Sequence, residues 1–140
     1  MNVEDPRAPF ARVAPTLRAA DFLFGNLECC LYAPSGKRSL GDEGFYASPA
    51  AGEALTLAGY HAVGTANNVN YGPDAIAESL RELDRRGIAH TGSGADRKTA
   101  HAPVVIERGG LHFGVLQRTS VYWPTNHEAG EQSPGVAVIR

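Results

Sequence analysis

Between residues 24 and 32 the chain reads FGNLECCLY, an apolar run broken at Gly25-Asn26 that resumes at Leu27 and then delivers Glu28 ahead of two adjacent cysteines. A carboxylate at the end of an apolar segment can accept a proton from water or ligate a divalent ion, and an amide two residues earlier can donate to an oxyanion. Three further polar groups follow apolar segments in the same way: Asn67 and Asn68 in TANNVN, Ser93 in TGSG, and Arg118, Thr119 and Ser120 in QRTS. His127 lies beyond the last of these, in WPTNHEAGE.

Each group has a chemical reading and a plain one. Glu28, paired with Asn67, can hold one divalent ion or activate water; alternatively it is a surface carboxylate at a strand end. Asn67 and Asn68 can orient a phosphate or carbonyl oxygen, or serve turns, since asparagine tolerates the left-handed region and caps loops. Arg118 can clamp an oxyanion bidentately or form a strand-end salt bridge. Asn26, Asn68, Ser93, Thr119 and Ser120 complete a set of candidate substrate contacts. The TGSGA stretch can cradle a phosphate on its backbone N–H groups, or it is an ordinary turn.

The five histidines show neither HxH nor HExxH spacing, so no local histidine-metal signature exists, and His127 is the candidate general base. Cys29 and Cys30 are possible nucleophiles or inert buried thiols. Glu28 beside them works against reactivity, because a neighbouring negative charge raises a thiol's pKa. Adjacent residues sit about 3.8 Å apart at Cα, shorter than the usual disulfide span, so two free thiols are expected.

Positioning these groups falls to alternating helices and strands. Phe10, Val13 and Leu17 predict a short helix that feeds a buried strand through Phe22, Leu23 and Phe24. Residues 33–48 carry turn signals and read as a loop, after which Ser48 and Pro49 mark a helix start and Gly59 its end. HAVGTA reads as a second strand. PDAIAESLRELDRRG reads as a helix opened by Pro73, striped by Ile76, Leu80 and Leu83, and closed at Gly87, with Glu82 facing Arg86. IAHTGSG supplies a third strand and turn, APVVIERGGLHFGVLQRTS a hairpin across Gly109-Gly110, and GVAVIR one more strand.

This order predicts an α/β fold: layered, with a mainly parallel sheet, flanking helices and a hairpin toward the C-terminus. The functional crevice of such a sheet lies outside the carboxyl ends of the strands, where Asn26, Glu28, Asn67, Asn68, Ser93 and the QRTS residues would gather.

At 140 residues, 43% hydrophobic and 20% charged, the chain suits a single α/β domain spanning 1–140 and argues against disorder. Thirteen basic against fifteen acidic residues give a formal charge of −2, so no field draws it to nucleic acid or anionic membrane. No signal peptide or membrane span is apparent, and a soluble, cytoplasmic protein acting on a small anionic or ester substrate is the expectation.

The segments AADFLFGNLE, AGYHAVGTANN, YGPDAIAESLRELDRRGIAHTGSG and GLHFGVLQRTS, in that order, resemble the bacterial capsule-synthesis (CapA-type, poly-gamma-glutamate biosynthesis) family, related to the calcineurin-like metallophosphoesterases. The resemblance runs from about residue 8 to the C-terminus and implies a partial metallophosphoesterase-like fold with ligands on the loops after the strands. Residue by residue it points to Asn26 and Glu28 in GNLE and to Asn67 and Asn68 in ANN.

The sequence departs from the pattern in three places. No Gly-Asp strand end precedes GNLE, Val69 stands where the family has a histidine after the asparagines, and the later histidine-rich motifs are absent, so a fragment of a larger family domain is expected. The expectation is therefore a small hydrolase of phosphate or related activated esters, built on Glu28, Asn67, Arg118 and His127 with at most one divalent ion. The alternative is a noncatalytic remnant that dimerises and binds a small anion. A homodimer is expected in either case, with Tyr122, Trp123 and Pro124 as an apolar interface.

Overall fold

The computed structural model describes residues 5, 7–34, 44–122 and 127–140. Most of the predicted 33–48 loop, and Trp123 and Pro124 of the predicted interface, lie outside the described residues.

The centre of the molecule is a three-stranded parallel sheet in the order β1-β4-β5, formed by β1 (Phe24–Asn26), β4 (Ala62–Gly64) and β5 (Ala89–Thr91). Asn26 pairs with Gly64 and Gly64 with Thr91, so the three strands end level with one another. Two short strands, β2 (Cys30–Leu31) and β3 (Tyr46–Ala47), form a separate parallel pair. The expected α/β character and parallel sheet are both present.

Helices cover one side of the sheet. Ser48 accepts a hydrogen bond from the Ala50 N–H and caps a 3-10 turn, Pro49–Ala51, that runs into α2 (Gly52–Ala58). Gly59, at φ +83°, ends α2 in the left-handed conformation that a side chain would disfavour. The long helix α3 (Pro73–Arg85) buries Ile76 and Leu83, as its apolar stripe requires. Glu82 pairs with Arg86 at 2.6 Å and also with Arg85. Leu27, Leu31, Leu55, Val63, Leu83 and Ile88 form the core between helices and sheet.

The N-terminal expectation needs correction. Instead of one helix striped by Phe10, Val13 and Leu17, a 3-10 turn (Ala8–Phe10) precedes a short α1 (Ala14–Arg18), and Val13 is exposed. Pro9 and Pro15, each near the start of its own segment, suit two separate beginnings. The strand also starts later than the Phe22–Phe24 run suggested. Phe24 is partly exposed, while Phe22 stacks against Phe113 with ring centroids 4.7 Å apart.

Phe113 belongs to the hairpin of β7 (Val104–Arg108) and β8 (Leu111–Val115), which the sequence placed correctly. Gly109 and Gly110 both take positive φ, as a two-residue type I′ turn demands. The GVAVIR tail forms β9 (Gly135–Val136), antiparallel to β6 (Ser93–Gly94), and α4 (Arg97–Ala100) follows β6. Among the described residues no helix is long and apolar enough to cross a membrane.

Candidate functional site

The level strand ends bring two loops together: Leu27-Glu28 after β1, and residues 65–70 after β4. What holds them is a set of side-chain hydrogen bonds to backbone. The Leu27 carbonyl accepts from Asn67 Nδ2 and from Asn70 Nδ2, both at 2.9 Å. Asn67 Oδ1 in turn accepts the backbone N–H groups of Val69 and Asn70 at 3.1 and 2.9 Å. Asn70 also donates to the Thr65 carbonyl at 2.9 Å. With Asn67 6% and Asn70 2% exposed, this lattice replaces water for groups that would otherwise be buried unpaired.

Asn26 stands outside that lattice but is oriented by it. Its Oδ1 accepts from Gln117 Nε2 at 2.9 Å and, at 3.5 Å, from Asn67 Nδ2. Those two donors assign the oxygen, so the Asn26 NH₂ is the end left to face the exposed strand edge. Gln117 Oε1 meanwhile accepts the Ala66 N–H at 2.8 Å, tying β8's exit to both loops. Glu28, two residues along the chain from this oriented amide, is exposed.

The remaining candidates divide between edge and interior. Asn68 and Ser120 are exposed, whereas Ser93 is buried and donates to the Thr65 carbonyl at 3.2 Å. Thr119 is engaged with Val121, donating to its carbonyl at 2.8 Å and accepting its N–H at 3.1 Å. Arg118 Nε donates to His101 Nδ1 at 3.0 Å, so the polar group of the QRTS segment that reaches Asn26 is Gln117.

His127 needs correction as a general base. It is 0% exposed, with Nε2 placed 2.9 Å from the Asn67 carbonyl and its ring edge-on to Tyr71 at 5.5 Å. Burial lowers its pKa, with the Asn67 and Asn70 carbonyls pulling the other way. A base must reach the proton that it removes, and this imidazole props the loop that carries the asparagines instead.

The thiols are also poorly placed for attack. Burial pushes Cys30 up to about 12 and raises Cys29 as well, so both are held in the thiol form more firmly than a free cysteine, which disfavours either as a catalytic nucleophile. Nor does TGSGA cradle an anion. Ser93 and Gly94 are strand residues, and the following helix start is a capping box in which Asp96 accepts the Thr99 N–H at 2.7 Å. A carboxylate already occupies the position that a phosphate would take.

A divalent ion is tested by the donor chemistry. Both acceptor positions of the Asn67 oxygen are spent on backbone N–H groups, which leaves Glu28 as the available carboxylate. Among the described residues no group of three or more His, Cys, Asp or Glu comes together. These residues do not by themselves fit a metal ion, whose site needs several oxygen or nitrogen donors at fixed geometry.

Asn70 and Gln117 carry much of this geometry and were missed as site residues. Asn70 had a visible signal, a third asparagine in ANNVN. Gln117 had a weaker one, a long amide opening the QRTS exit of an apolar strand.

Comparison with known proteins identifies the family. Residues 1–138 match the model of a family described as bacterial capsule synthesis protein. Two proteins of Sinorhizobium fredii (strain NBRC 101917 / NGR234), the uncharacterized proteins y4sH and y4uA, are each 31% identical over 143 residues. The match covers 94% of this chain and 31% of each relative, so the chain spans about a third of their length. With its GNLE and ANN segments converging at level strand ends and the match extending over nearly all of its residues, this chain belongs to the bacterial capsule synthesis protein family.

Proposed function

We propose that the chain carries the strand-end part of a hydrolase site for phosphate esters or related activated esters. The observation that supports this reading is the orientation of Asn26. Gln117 and Asn67 hold its oxygen, which leaves its NH₂ for a ligand at an exposed strand end, and Glu28, two residues on, is exposed as well. In this reading the Asn26 amide donates to a phosphoryl oxygen as charge develops there, and Glu28 accepts the proton of the attacking water. Asn67, Asn70 and His127 are positioning residues, which fix the two loops and do not touch substrate. The family's relation to metallophosphoesterases supports the reaction class; the donor set here supports no step through an ion.

The test is hydrolysis of aryl phosphate mono-, di- and triesters by the purified chain, with and without chelator. The expected outcome is turnover that Glu28→Gln abolishes while the fold is kept. Turnover equal in the wild type and Glu28→Gln would overturn the assignment, and chelator sensitivity would show that an ion enters the reaction.

A second reading, a noncatalytic anion binder that dimerises, is favoured by the number of polar groups spent on structure. Exposed Val105, Leu111, Leu116, Val121 and Ile139 supply apolar surface for a second copy. Binding of inorganic phosphate without turnover, together with a dimer in sedimentation, is the outcome that supports it. In both readings the ligand is a small anion or ester, nucleic acid and membrane are not partners, and the protein works in the cytoplasm.

A further inference from the structure

A cavity of about 780 Å³ adjoins the candidate site, within the size range of small-molecule pockets. Asn26 and Leu27 belong both to its wall and to the strand-end loop. Apolar side chains make up most of the rest of the wall, Phe10 and Tyr60, edge to face at 5.9 Å, then Leu31, Leu55 and Val63, with Tyr46 and Ser48 adding polar groups. Among the described residues no charged side chain lines it. On the sheet side Gly25 lets the Tyr60 ring of this wall pack against the strand, since that ring takes the space of a Cβ there.

A wholly ionic ligand would lose its hydration in such a cavity without meeting an opposite charge among the described residues, whereas hydrocarbon gains by leaving water. The polar edge beside it has the opposite preference. We propose that the cavity takes the hydrocarbon arm of an amphiphilic ester whose polar head lies at the strand ends, beside Asn26 and Glu28. This rests on the hydrolase reading for the head group alone; occupation of the cavity by hydrocarbon stands or falls separately.

Cys29 lines the same cavity, half-buried, and serves as a reporter, while Cys30 is 1% exposed and faces the core under α3. The experiment measures the rate of Cys29 alkylation by N-ethylmaleimide, read by peptide mass spectrometry, with and without 1-decanol or inorganic phosphate. Cys29→Ser confirms the labelled position. Decanol at about ten times its dissociation constant is expected to slow labelling about tenfold, and phosphate to leave it unchanged. Ala50→Trp, at the exposed rim of the cavity, is expected to remove the decanol effect.

In parallel, methyl and decyl 4-nitrophenyl phosphates are compared as substrates. Decanol protection with no turnover of either ester would keep the cavity assignment and overturn the hydrolase reading. Turnover of both esters at equal kcat/KM, with no decanol protection, would overturn the cavity assignment and keep the reading. Labelling that decanol does not slow, in a chain whose thermal unfolding is unchanged by the reagent, overturns the proposal whatever the substrates do.

Discussion

The strand-end loops and the β7–β8 hairpin hold their backbones by different means. In the hairpin the ladder is local, five register pairs from Val104↔Val115 to Arg108↔Leu111 closed by two glycines, and the side chains add little. Val105 and Leu111 are 60% and 63% exposed, and the Glu107–His112 pair lies in solvent at 3.8 Å. In the loops the backbone ladder gives way after the Leu27 N–H to Gly64 carbonyl and Thr65 N–H to Thr91 carbonyl bonds, and side-chain amides and an imidazole take its place. The difference teaches that residues able to do chemistry are not thereby placed to do it. Asn67 and His127 have the types of a catalytic pair and are consumed in holding Leu27, Val69 and Asn70 in position.

The sharpest way to break this contrast is to remove the loop's acceptor. Asn67→Ala would leave the Val69 and Asn70 N–H groups unpaired and the Leu27 carbonyl with one donor fewer, and a loss of about 3 kcal/mol in urea unfolding is expected. Asn67→Asp, which keeps the acceptor, should lose less. A cost for Asn67→Ala below about 0.5 kcal/mol, the level of an ordinary surface change, would mean that the lattice does not hold the loops.

Acidification tests the imidazole with a defined sign. Because burial lowers the His127 pKa in the folded state, the unfolded chain takes up a proton more readily, from about its ordinary value of 6.5 downward. The stabilising contribution is therefore fully present above pH 6.5 and is lost as pH falls through the lower folded value. His61 is shifted in the same direction by burial, so the reading is the difference between wild type and His127→Gln across pH 8 to 5. That difference should shrink as the pH falls; a difference independent of pH would show that His127 does not titrate with folding.

A smaller effect is expected for Gln117→Ala. It strips the Ala66 N–H of its acceptor at a half-buried site, for about 1 kcal/mol, and releases the Asn26 amide from its orientation. Turnover should fall further than stability accounts for. An unchanged kcat/KM would remove Gln117 from the positioning set.

What the sequence made legible follows the same division. The hairpin, α3 and the capped start before α2 are local structures with local signals: Gly109-Gly110, the Ile76-Leu80-Leu83 stripe and Ser48-Pro49. Their placement needed no knowledge of neighbours. The approach of Asn26 to Asn67 was also readable, because it follows from parallel strands of matched register. The roles were not readable, since they depend on which side of a loop faces water. The ANNVN segment looks alike whether its amides turn outward to a phosphate or inward to the Leu27 carbonyl. Val13 misled for a related reason: helical spacing was present, but the chain breaks into two short turns there and the residue faces solvent.

The smallest effect is expected in the hairpin, and it separates two explanations of its apolar surface. Leu111→Thr exchanges an exposed hydrophobe for a β-branched residue suited to a strand, so the unfolding free energy of a monomer should move by less than about 0.5 kcal/mol. If this face joins two copies, the same substitution instead makes stability depend on protein concentration to a lesser degree than in the wild type, since apolar area lost from an interface weakens association. Unfolding midpoints of wild type and Leu111→Thr across a hundredfold range of concentration distinguish the two. Midpoints that do not move for either protein identify the hairpin as a solvated strand pair, held by its own ladder. A wild-type midpoint that rises with concentration, and rises less in the variant, makes the hairpin the dimer face and gives its outward hydrophobes a partner.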